Sequence, residues 1–425
     1  MPPTRSRPRG RRARWIAPAV VAACAAAAGC SGNISVSGAS STPASSVSPS
    51  SPTDGPADGP ADGPGTSQAD APTIASPDTA CVTQVYHQLT LAQRVGQLFL
   101  VAVGPGGLAG SETVQAVDQY HFGSVLLPEN DDGTAALASA TAAIQALAPK
   151  ATGGVRFLVA ANQEGGEVQQ LTGPGFSVMP SELVQGTQAT SALRAQAQTW
   201  GSELHAAGVN LNLAPVMDVV PSATAASNAP IGALDREFGS DPQANGEHGV
   251  AYVAGMAAAG VASVPKHFPG LGRVTGNTDF TSDVVDNVTT ADDPYLDSFR
   301  TVIDAGVPYL MVAEATYTQI DPTHLAVFSP VIMRLLRNGL GFRGVILSDD
   351  LGEAKAVASV PAAQRAIDFL EAGGDLVTSQ DIEPAEQMAT AVLAQASSDA
   401  TFRATVDAAA TRILTAKQAQ GLLPC

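Results

Sequence analysis

The sequence predicts an α/β protein and, within that class, a (β/α)8 barrel that forms a single catalytic domain. From residue 78 onward, short apolar runs alternate with amphipathic segments of helical length. Near-continuous apolar strands are typical of a parallel sheet that is buried on both faces. Eight strand–helix units in a body of about 350 residues fit one such barrel. The alternative is an open doubly wound sheet, but no Gly-x-Gly-x-x-Gly motif follows an early strand, which disfavours its dinucleotide-binding form.

Each predicted element follows from its hydrophobic period. The predicted strands cover residues 97–104, 123–128, 155–161, 211–219, 261–267, 308–313, 344–348 and 375–379. The predicted helices cover residues 133–149, 181–208, 243–260, 293–305, 328–339, 353–373 and 383–420.

The amino terminus has the pattern of an export signal. Six arginines in the first fourteen residues precede an Ala/Val-rich run, so residues 1–29 are predicted to be a signal peptide. The sequence before Cys30 resembles a bacterial lipobox, which implies cleavage there and lipidation of the thiol. Secretion without a lipid is the alternative. The Arg11-Arg12 pair leaves both twin-arginine and general export open.

Residues 30–77 are predicted to be a low-complexity tether between this anchor and the folded domain at 78–425. The segment consists largely of Ser, Thr, Pro, Gly, Ala and Asp. Almost no large apolar side chain is available there to offset the conformational entropy of the chain. We therefore expect an extracytoplasmic protein that is held to the outer face of the bacterial cell membrane.

Two cysteines stand at the ends of the folded domain. Cys24 is lost with the signal peptide and Cys30 takes the lipid, which leaves Cys81 and Cys425. In an exported protein these two thiols are expected to form a disulfide, and two free thiols are the alternative.

The charge of the chain excludes one class of partner. The formal net charge is −17, and the six amino-terminal arginines leave the remainder near −23. Such a surface repels the phosphates of nucleic acid, so no nucleic-acid partner is expected.

Polar side chains follow several of the predicted strands. Asn162 and Glu164 follow strand three, Asp218 ends strand four, and Lys266-His267 end strand five. Glu314 follows strand six, and strand seven ends with Ser348-Asp349-Asp350. Because the carboxyl ends of barrel strands meet at one face, these residues are expected to form one active site.

With these motifs in view, the chain resembles glycoside hydrolase family 3, and within it the single-domain bacterial β-N-acetylglucosaminidases. The resemblance covers nearly all of the folded domain. It is carried by residues 162–166, 207–219, 236–242, 266–270 and 344–351, with a later match at 412–422.

The resemblance implies a role for each matching residue. Asp349 falls on the family's nucleophile, which forms a covalent glycosyl ester. Asp350 is expected to orient the loop, and helix capping alone is the other interpretation of this acidic pair. Four further positions match residues that bind sugar hydroxyls: Asn162, Arg236, Lys266 and His267. For Arg236 a structural salt bridge is the alternative, and for Lys266 and His267 to reach one sugar the backbone must twist.

The chain departs from the family pattern near the sugar-binding positions and in the acid/base loop. Asn162 replaces the usual Asp, and Glu167 replaces the usual Arg. Leu271 and Asp279 stand where the family has histidines, the second of which belongs to a His/Asp proton-transfer dyad. Asp279 is the candidate general acid/base, with Asp283 and Glu314 in reserve. The alternative is that Asp279 is a solvated loop residue and that the enzyme is impaired.

These expectations define a retaining β-N-acetylhexosaminidase of the EC 3.2.1.52 class that acts on GlcNAc-MurNAc fragments of the cell wall. No metal or cofactor is implied, since a double displacement through a carboxylate requires neither. We expect a monomer. Another exo-β-glycosidase such as a β-glucosidase is one alternative, and a catalytically impaired glycan-binding lipoprotein is the other.

Overall fold

The computed structural model describes residues 79–104 and 106–425. The predicted signal peptide, the lipidation site at Cys30 and the predicted tether lie outside the described residues. No helix in the described ranges is both long enough and apolar enough to span a membrane.

Eight parallel strands form the centre of the domain. In chain order, strands β1 to β8 are Phe99–Ala102, Ser124–Leu126, Leu158–Ala161, Leu211–Asn212, Ala262–Ser263, Tyr309–Val312, Val345–Asp350 and Leu376–Ser379. Seven lie within the predicted apolar runs, and β7 extends two residues beyond the run predicted at 344–348.

The helices surround this sheet, with shorter turns between them. Helices α1 to α13 are Thr79–Gln88, Leu91–Gln97, Ser111–Tyr120, Thr134–Gln145, Ala148–Ala151, Glu182–Gln185, Thr190–Ala206, Pro242–Ala258, Asp297–Asp304, Pro330–Arg334, Ala362–Ala372, Ile382–Ser398 and Ala400–Ala419. Single 3₁₀ turns cover Ala225–Ser227, Gly232–Leu234, Pro294–Leu296, Ala326–Phe328 and Lys355–Val357, and a π-helical turn covers Leu335–Gly339.

The strand order closes the sheet into a barrel, as the sequence predicts. Strand β1 pairs in parallel with both β2 and β8, and the remaining strands follow in chain order on either side. The seam between β5 and β6 is joined by a parallel bridge between Phe268 and Val312. Every residue of β3, β6 and β8 is buried, because barrel side chains fill the interior on one face and contact helices on the other.

Several predicted elements are shorter than expected or are divided in two. The helices predicted at 133–149 and 181–208 are each two helices, α4 with α5 and α6 with α7, and the helix predicted at 353–373 begins only at Ala362. Strands β4 and β5 end after two residues each, because the chain beyond them pairs irregularly: Met217 N–H donates to Lys266 O at 2.6 Å, and Lys266 N–H donates to Pro215 O at 3.1 Å. The helix predicted at 383–420 is two helices, because the Asp399 side chain caps the second by accepting from Thr401 and Phe402 N–H. Side-chain capping of this kind starts a new helix.

The predicted disulfide is present and joins the two ends of the described domain. Cys81 on α1 and Cys425 are bonded, with their Cα atoms 6.0 Å apart and 344 residues apart in sequence. Cys81 also packs in a small apolar cluster with Val82, Val155 and Leu414. A cross-link over so long a loop stabilises the fold by about 2–5 kcal/mol, chiefly through the unfolded chain.

Candidate active site

The residues predicted to form the site lie on the carboxyl ends of the barrel strands and on the loops that follow them. Asn162 directly follows β3, Lys266 and His267 follow β5, and Asp349 lies near the end of β7. Arg236 and Asp279 are on the loops after β4 and β5. Residues far apart in sequence therefore reach one rim, as expected for parallel strands in a barrel.

Glu164 holds two of the predicted sugar-binding cations in place. Both of its oxygens accept from Arg236, from Nε at 2.8 Å and from Nη2 at 2.8 Å. Lys266 Nζ lies 2.6 Å from Glu164 Oε1 and donates to Asn162 Oδ1 at 2.8 Å. Burial would raise the pKa of Glu164, but Arg236 and Lys266 outweigh burial and lower it to about 2. The cluster formed by Glu164, Arg236 and Lys266 therefore carries one excess positive charge at neutral pH.

Asp218 fixes the orientation of the His267 ring. Its Oδ2 lies 2.7 Å from His267 Nδ1, and its Oδ1 accepts from the backbone N–H of His267 at 3.1 Å and of Leu271 at 2.9 Å. Asp218 is fully buried and His267 nearly so. With Nδ1 donating to the carboxylate, Nε2 is the ring nitrogen that remains for a substrate hydroxyl.

The backbone around Lys266 and His267 is irregular. The Lys266–His267 peptide bond is cis, and so are the Phe268–Pro269 and Ala214–Pro215 bonds. The sequence predicts a twist here but not a cis bond between two non-proline residues.

Asp349 and Asp350 differ in what surrounds their carboxylates. Asp349 is partly exposed, and its Oδ1 accepts from the backbone N–H of Asp350 at 3.0 Å. The carboxylate of Asp350 is buried and accepts three backbone N–H groups, from Gly352 at 2.9 Å, Gln380 at 2.8 Å and Glu353 at 3.1 Å. Asp350 thus orders the loops after β7 and β8, whereas Asp349 remains available for chemistry.

The loop that carries Asp279 is attached to its neighbours at several points. Ala356 N–H donates to Thr278 O at 3.0 Å and Lys355 N–H to Asp279 O at 3.2 Å, so the loop lies against the turn that follows β7. At its far end, Val285–Asp286 pairs in parallel with Thr316–Tyr317, on the loop after β6. These bonds hold Asp279 on the same side of the barrel as Asp349.

The electrostatic neighbours of Asp279 are the other predicted site residues. Burial and then the carboxylate of Asp349 raise the pKa of Asp279, while Arg236, His267 and Lys266 lower it, and the net shift is upward. The Asp279 side chain is itself exposed to solvent. A carboxyl whose pKa is raised by a partly exposed neighbouring carboxylate is the arrangement that general acid catalysis requires.

The two reserve acids are placed differently. Asp283 is exposed and has a left-handed backbone (φ 58°), whereas Glu314 is fully buried just beyond β6. Within residues 79–104 and 106–425, no group of three or more His, Cys, Asp or Glu side chains is arranged to hold a metal ion.

The family model described as "Glycosyl hydrolase family 3 N terminal domain" matches residues 90–416 of this sequence. The chain belongs to glycosyl hydrolase family 3.

Relatives within family 3 match most of the domain. A β-hexosaminidase of Xanthomonas campestris pv. campestris is 36% identical over 285 residues, which are 64% of this chain and 82% of the relative. The crystal structure of a β-N-acetylhexosaminidase from Beutenbergia cavernae is 49% identical with a TM-score of 0.76, covering 77% of this chain and 98% of that one. A family 3 β-N-acetylglucosaminidase from Paenibacillus is 28% identical with a TM-score of 0.71, covering 79% and 63%.

Two buried residues beside the predicted site were not assigned a role from sequence. Glu164 and Asp218 were identified only as polar residues at strand ends. The structure shows that each is a fully buried carboxylate that orients a predicted sugar-binding side chain. Only Asp218 has a signal in the sequence, an acidic residue inside the apolar stretch 214–220, since an unpaired buried carboxylate is too costly to retain.

We predict that Glu164→Gln destabilises the protein at pH 7 by about 3–5 kcal/mol, because it leaves Arg236 and Lys266 without their buried counter-charge. Denaturant unfolding measures the loss. Because the folded-state pKa of Glu164 is depressed, its contribution is present above pH 4.3 and is lost as pH falls toward about 2.

Glu167→Gln is the matched control, since Glu167 is exposed two residues beyond the short strand Gln163–Gly165. That variant should unfold within about 0.5 kcal/mol of wild type. Equal stability of the two variants at pH 7 would contradict this assignment.

Proposed function

We propose that this family 3 protein is a retaining β-N-acetylhexosaminidase that removes terminal β-linked N-acetylglucosamine from cell-wall fragments of the GlcNAc-MurNAc type. The observation that supports this most strongly is the arrangement of Asp349, Asp279, Arg236, Lys266 and His267 in one electrostatic neighbourhood on the barrel rim. The similar proteins whose names state this activity add to it.

Four side chains would bind the terminal sugar. Arg236 and Lys266 are held by Glu164 and can donate to hydroxyls, and His267 presents Nε2. Asn162 accepts from Lys266 through Oδ1, so its amide nitrogen is left to donate to a sugar oxygen. The donor-rich pocket suits neutral hydroxyls, because charge-assisted hydrogen bonds are strong and directional.

Asp349 and Asp279 would carry the two chemical steps. In the first, a carboxylate oxygen of Asp349 bonds to C1 while Asp279 gives its proton to the departing glycosidic oxygen. In the second, Asp279 takes a proton from water, the water oxygen bonds to C1, and the ester to Asp349 breaks. The double displacement retains the β configuration and needs neither metal nor cofactor.

The coupling between the two carboxyls supports this exchange of roles. Burial and the negative charge of Asp349 raise the pKa of Asp279 in the free enzyme, which favours its protonated form. Forming the glycosyl ester removes that charge, so the pKa of Asp279 falls and the group becomes a base when one is needed. A carboxylic acid thus replaces the histidine of the family's dyad.

A fluorinated N-acetylglucosaminyl donor tests this function directly. We predict covalent labelling of one site per chain, located at Asp349 by peptide mass spectrometry and absent in Asp349→Asn. The proposed specificity predicts that aryl N-acetylglucosaminides are cleaved at least ~100-fold faster than aryl glucosides, because a site built to hydrogen-bond a substrate group discriminates strongly against the analogue that lacks it. A folded protein without label would indicate a glycan binder, and preference for glucosides would indicate another family 3 glycosidase.

We predict that Asp279→Asn lowers kcat/KM on N-acetylglucosaminyl disaccharides by about 10²–10⁴-fold but by less than ~10-fold on activated aryl glycosides, whose leaving groups need no acid. In wild type, disaccharide cleavage should fall as pH rises through the raised pKa of Asp279, because the acid loses its proton.

The exposed neighbour Asp283 supplies the control, since Asp283→Asn makes the same charge change and Asn tolerates the left-handed backbone there. That variant should behave like wild type on both substrates. An equal loss on both substrate types in Asp279→Asn would rule Asp279 out as the acid.

We further propose that the protein works outside the cytoplasm as a monomer that is anchored by lipidated Cys30, with residues 30–77 as the tether. The charged amino terminus, the apolar run and the lipobox-like residues 27–30 support this. The disulfide between Cys81 and Cys425 also suits an oxidising compartment.

Expression of the full chain in a bacterium that processes lipoproteins tests the anchor. We predict that the wild-type protein partitions into detergent with a mature amino terminus at Cys30, whereas Cys30→Ala partitions into the aqueous phase. Recovery of wild type in the aqueous phase would contradict lipidation.

A further inference from the structure

Glu314 leaves the barrel beside the proposed nucleophile. It lies two residues beyond the end of β6, and β6 pairs with β7 so that Val312 is opposite Ser348, a register that places Glu314 across from Asp350, the residue after the proposed nucleophile. Glu314 and Asp349 therefore lie at the ends of adjacent strands on the same rim.

Glu314 is the exception among the buried acids of this region because nothing bonds to its carboxyl group. It is fully buried, and neither Oε atom has a hydrogen-bond partner among the described residues. In contrast, Glu164 accepts from two cations and Glu182 accepts from Val216 N–H through both oxygens, at 3.0 and 3.1 Å. Burial of an unpartnered carboxyl is costly, and such groups are retained mainly at functional sites.

Burial and the neighbouring carboxylates favour the neutral form of Glu314. Burial raises its pKa well above the ordinary range, and Asp349 and Asp350 of β7 and Asp279 of the loop after β5 act in the same direction. Arg365 of α11 opposes them, but its Nε donates to Val360 O at 2.8 Å and its Nη1 to Leu351 O and Gly352 O at 2.8 Å, and it forms no ion pair with Glu314. A neutral carboxyl in this position has an O–H that can donate to a nearby carboxylate.

We propose that Glu314 is a positioning residue for Asp349, whose carboxylate it orients in the substrate complex by donating a hydrogen bond from its protonated side chain. This inference rests on the proposed role of Asp349 as nucleophile. A neutral donor holds the carboxylate without the cation that would reduce its nucleophilicity, and without a second anion that would repel it. Catalytic hydrogen bonds commonly tighten only when substrate is bound.

The first test is the rate at which the fluorinated N-acetylglucosaminyl donor labels Asp349. At pH 6, Glu314→Met, which keeps the length but not the donor, should label 10- to 100-fold more slowly than wild type. Glu314→Gln keeps a neutral donor and should rescue labelling to within threefold. On the alkaline side the wild-type rate should fall as Glu314 ionises, whereas the Gln variant should show no such fall.

The second test is thermal stability as a function of pH, which is independent of activity. An unfolded glutamate ionises near pH 4.3, whereas folded Glu314 keeps its proton well above that pH, so wild type loses stability as pH rises. The melting temperature of Glu314→Gln should therefore exceed that of wild type by a margin that grows between pH 5 and pH 8. Glu371→Gln, an exposed change on α11, should show no such trend.

The results of these tests distinguish a failure of the positioning role of Glu314 from a failure of the proposed function. Wild type that takes no label at Asp349 would contradict the proposed function itself. Labelled wild type with an equally fast Met variant would overturn the positioning role, and so would a Gln variant as slow as Met. A Gln variant whose stability advantage does not grow with pH would show that Glu314 is not a proton-holding group.

Discussion

The pairing of Glu164 with Arg236 and Lys266 is the interaction on which the site depends. It joins three parts of the chain: the short strand Gln163–Gly165 after β3, the loop after β4, and the segment that follows β5. Each cation is placed by the same carboxylate, so the two donors keep a fixed separation without contacting each other. A buried charge pair of this type adds little to stability, but removing one partner leaves an uncompensated charge. We infer that the cluster is retained because it preorganises the sugar-binding pocket.

Charge also divides the rim into two halves with different tasks. The half built from β3 to β5 carries the cations Arg236 and Lys266 and the imidazole of His267, which Asp218 orients. The half built from the Asp279 loop, β6 and β7 is acidic, with Asp279, Glu314, Asp349 and Asp350 influencing one another. Because neighbouring carboxyls disfavour one another's ionisation, we propose that their environments separate them into a nucleophile, an acid and proton-holding groups. In this proposal an aspartic acid, whose pKa is set by its neighbours, takes the place of the histidine of the family dyad.

Much of this arrangement could be predicted from sequence because it follows from local patterns. The apolar runs located all eight strands, and two terminal cysteines in an exported chain indicated the disulfide. Other features depend on contacts between distant segments and leave no periodic signal. The early ends of β4 and β5 follow from irregular pairing at residues 213–217 and 264–268, and the bonds from Lys355 and Ala356 to the Asp279 loop are between backbone atoms. The role of Glu164 was missed because a single acidic residue after a strand does not show which cations reach it.

The most direct test of the central claim is a crystal structure with N-acetylglucosamine bound. The account predicts one sugar that contacts Arg236, Lys266 and His267, with the Asp349 carboxylate beneath C1 and the Asp279 carboxyl about 5–5.5 Å from that of Asp349, the separation of retaining enzymes. A sugar bound away from these three donors, or carboxyls separated by the ~6.5–9.5 Å of inverting enzymes, would contradict it.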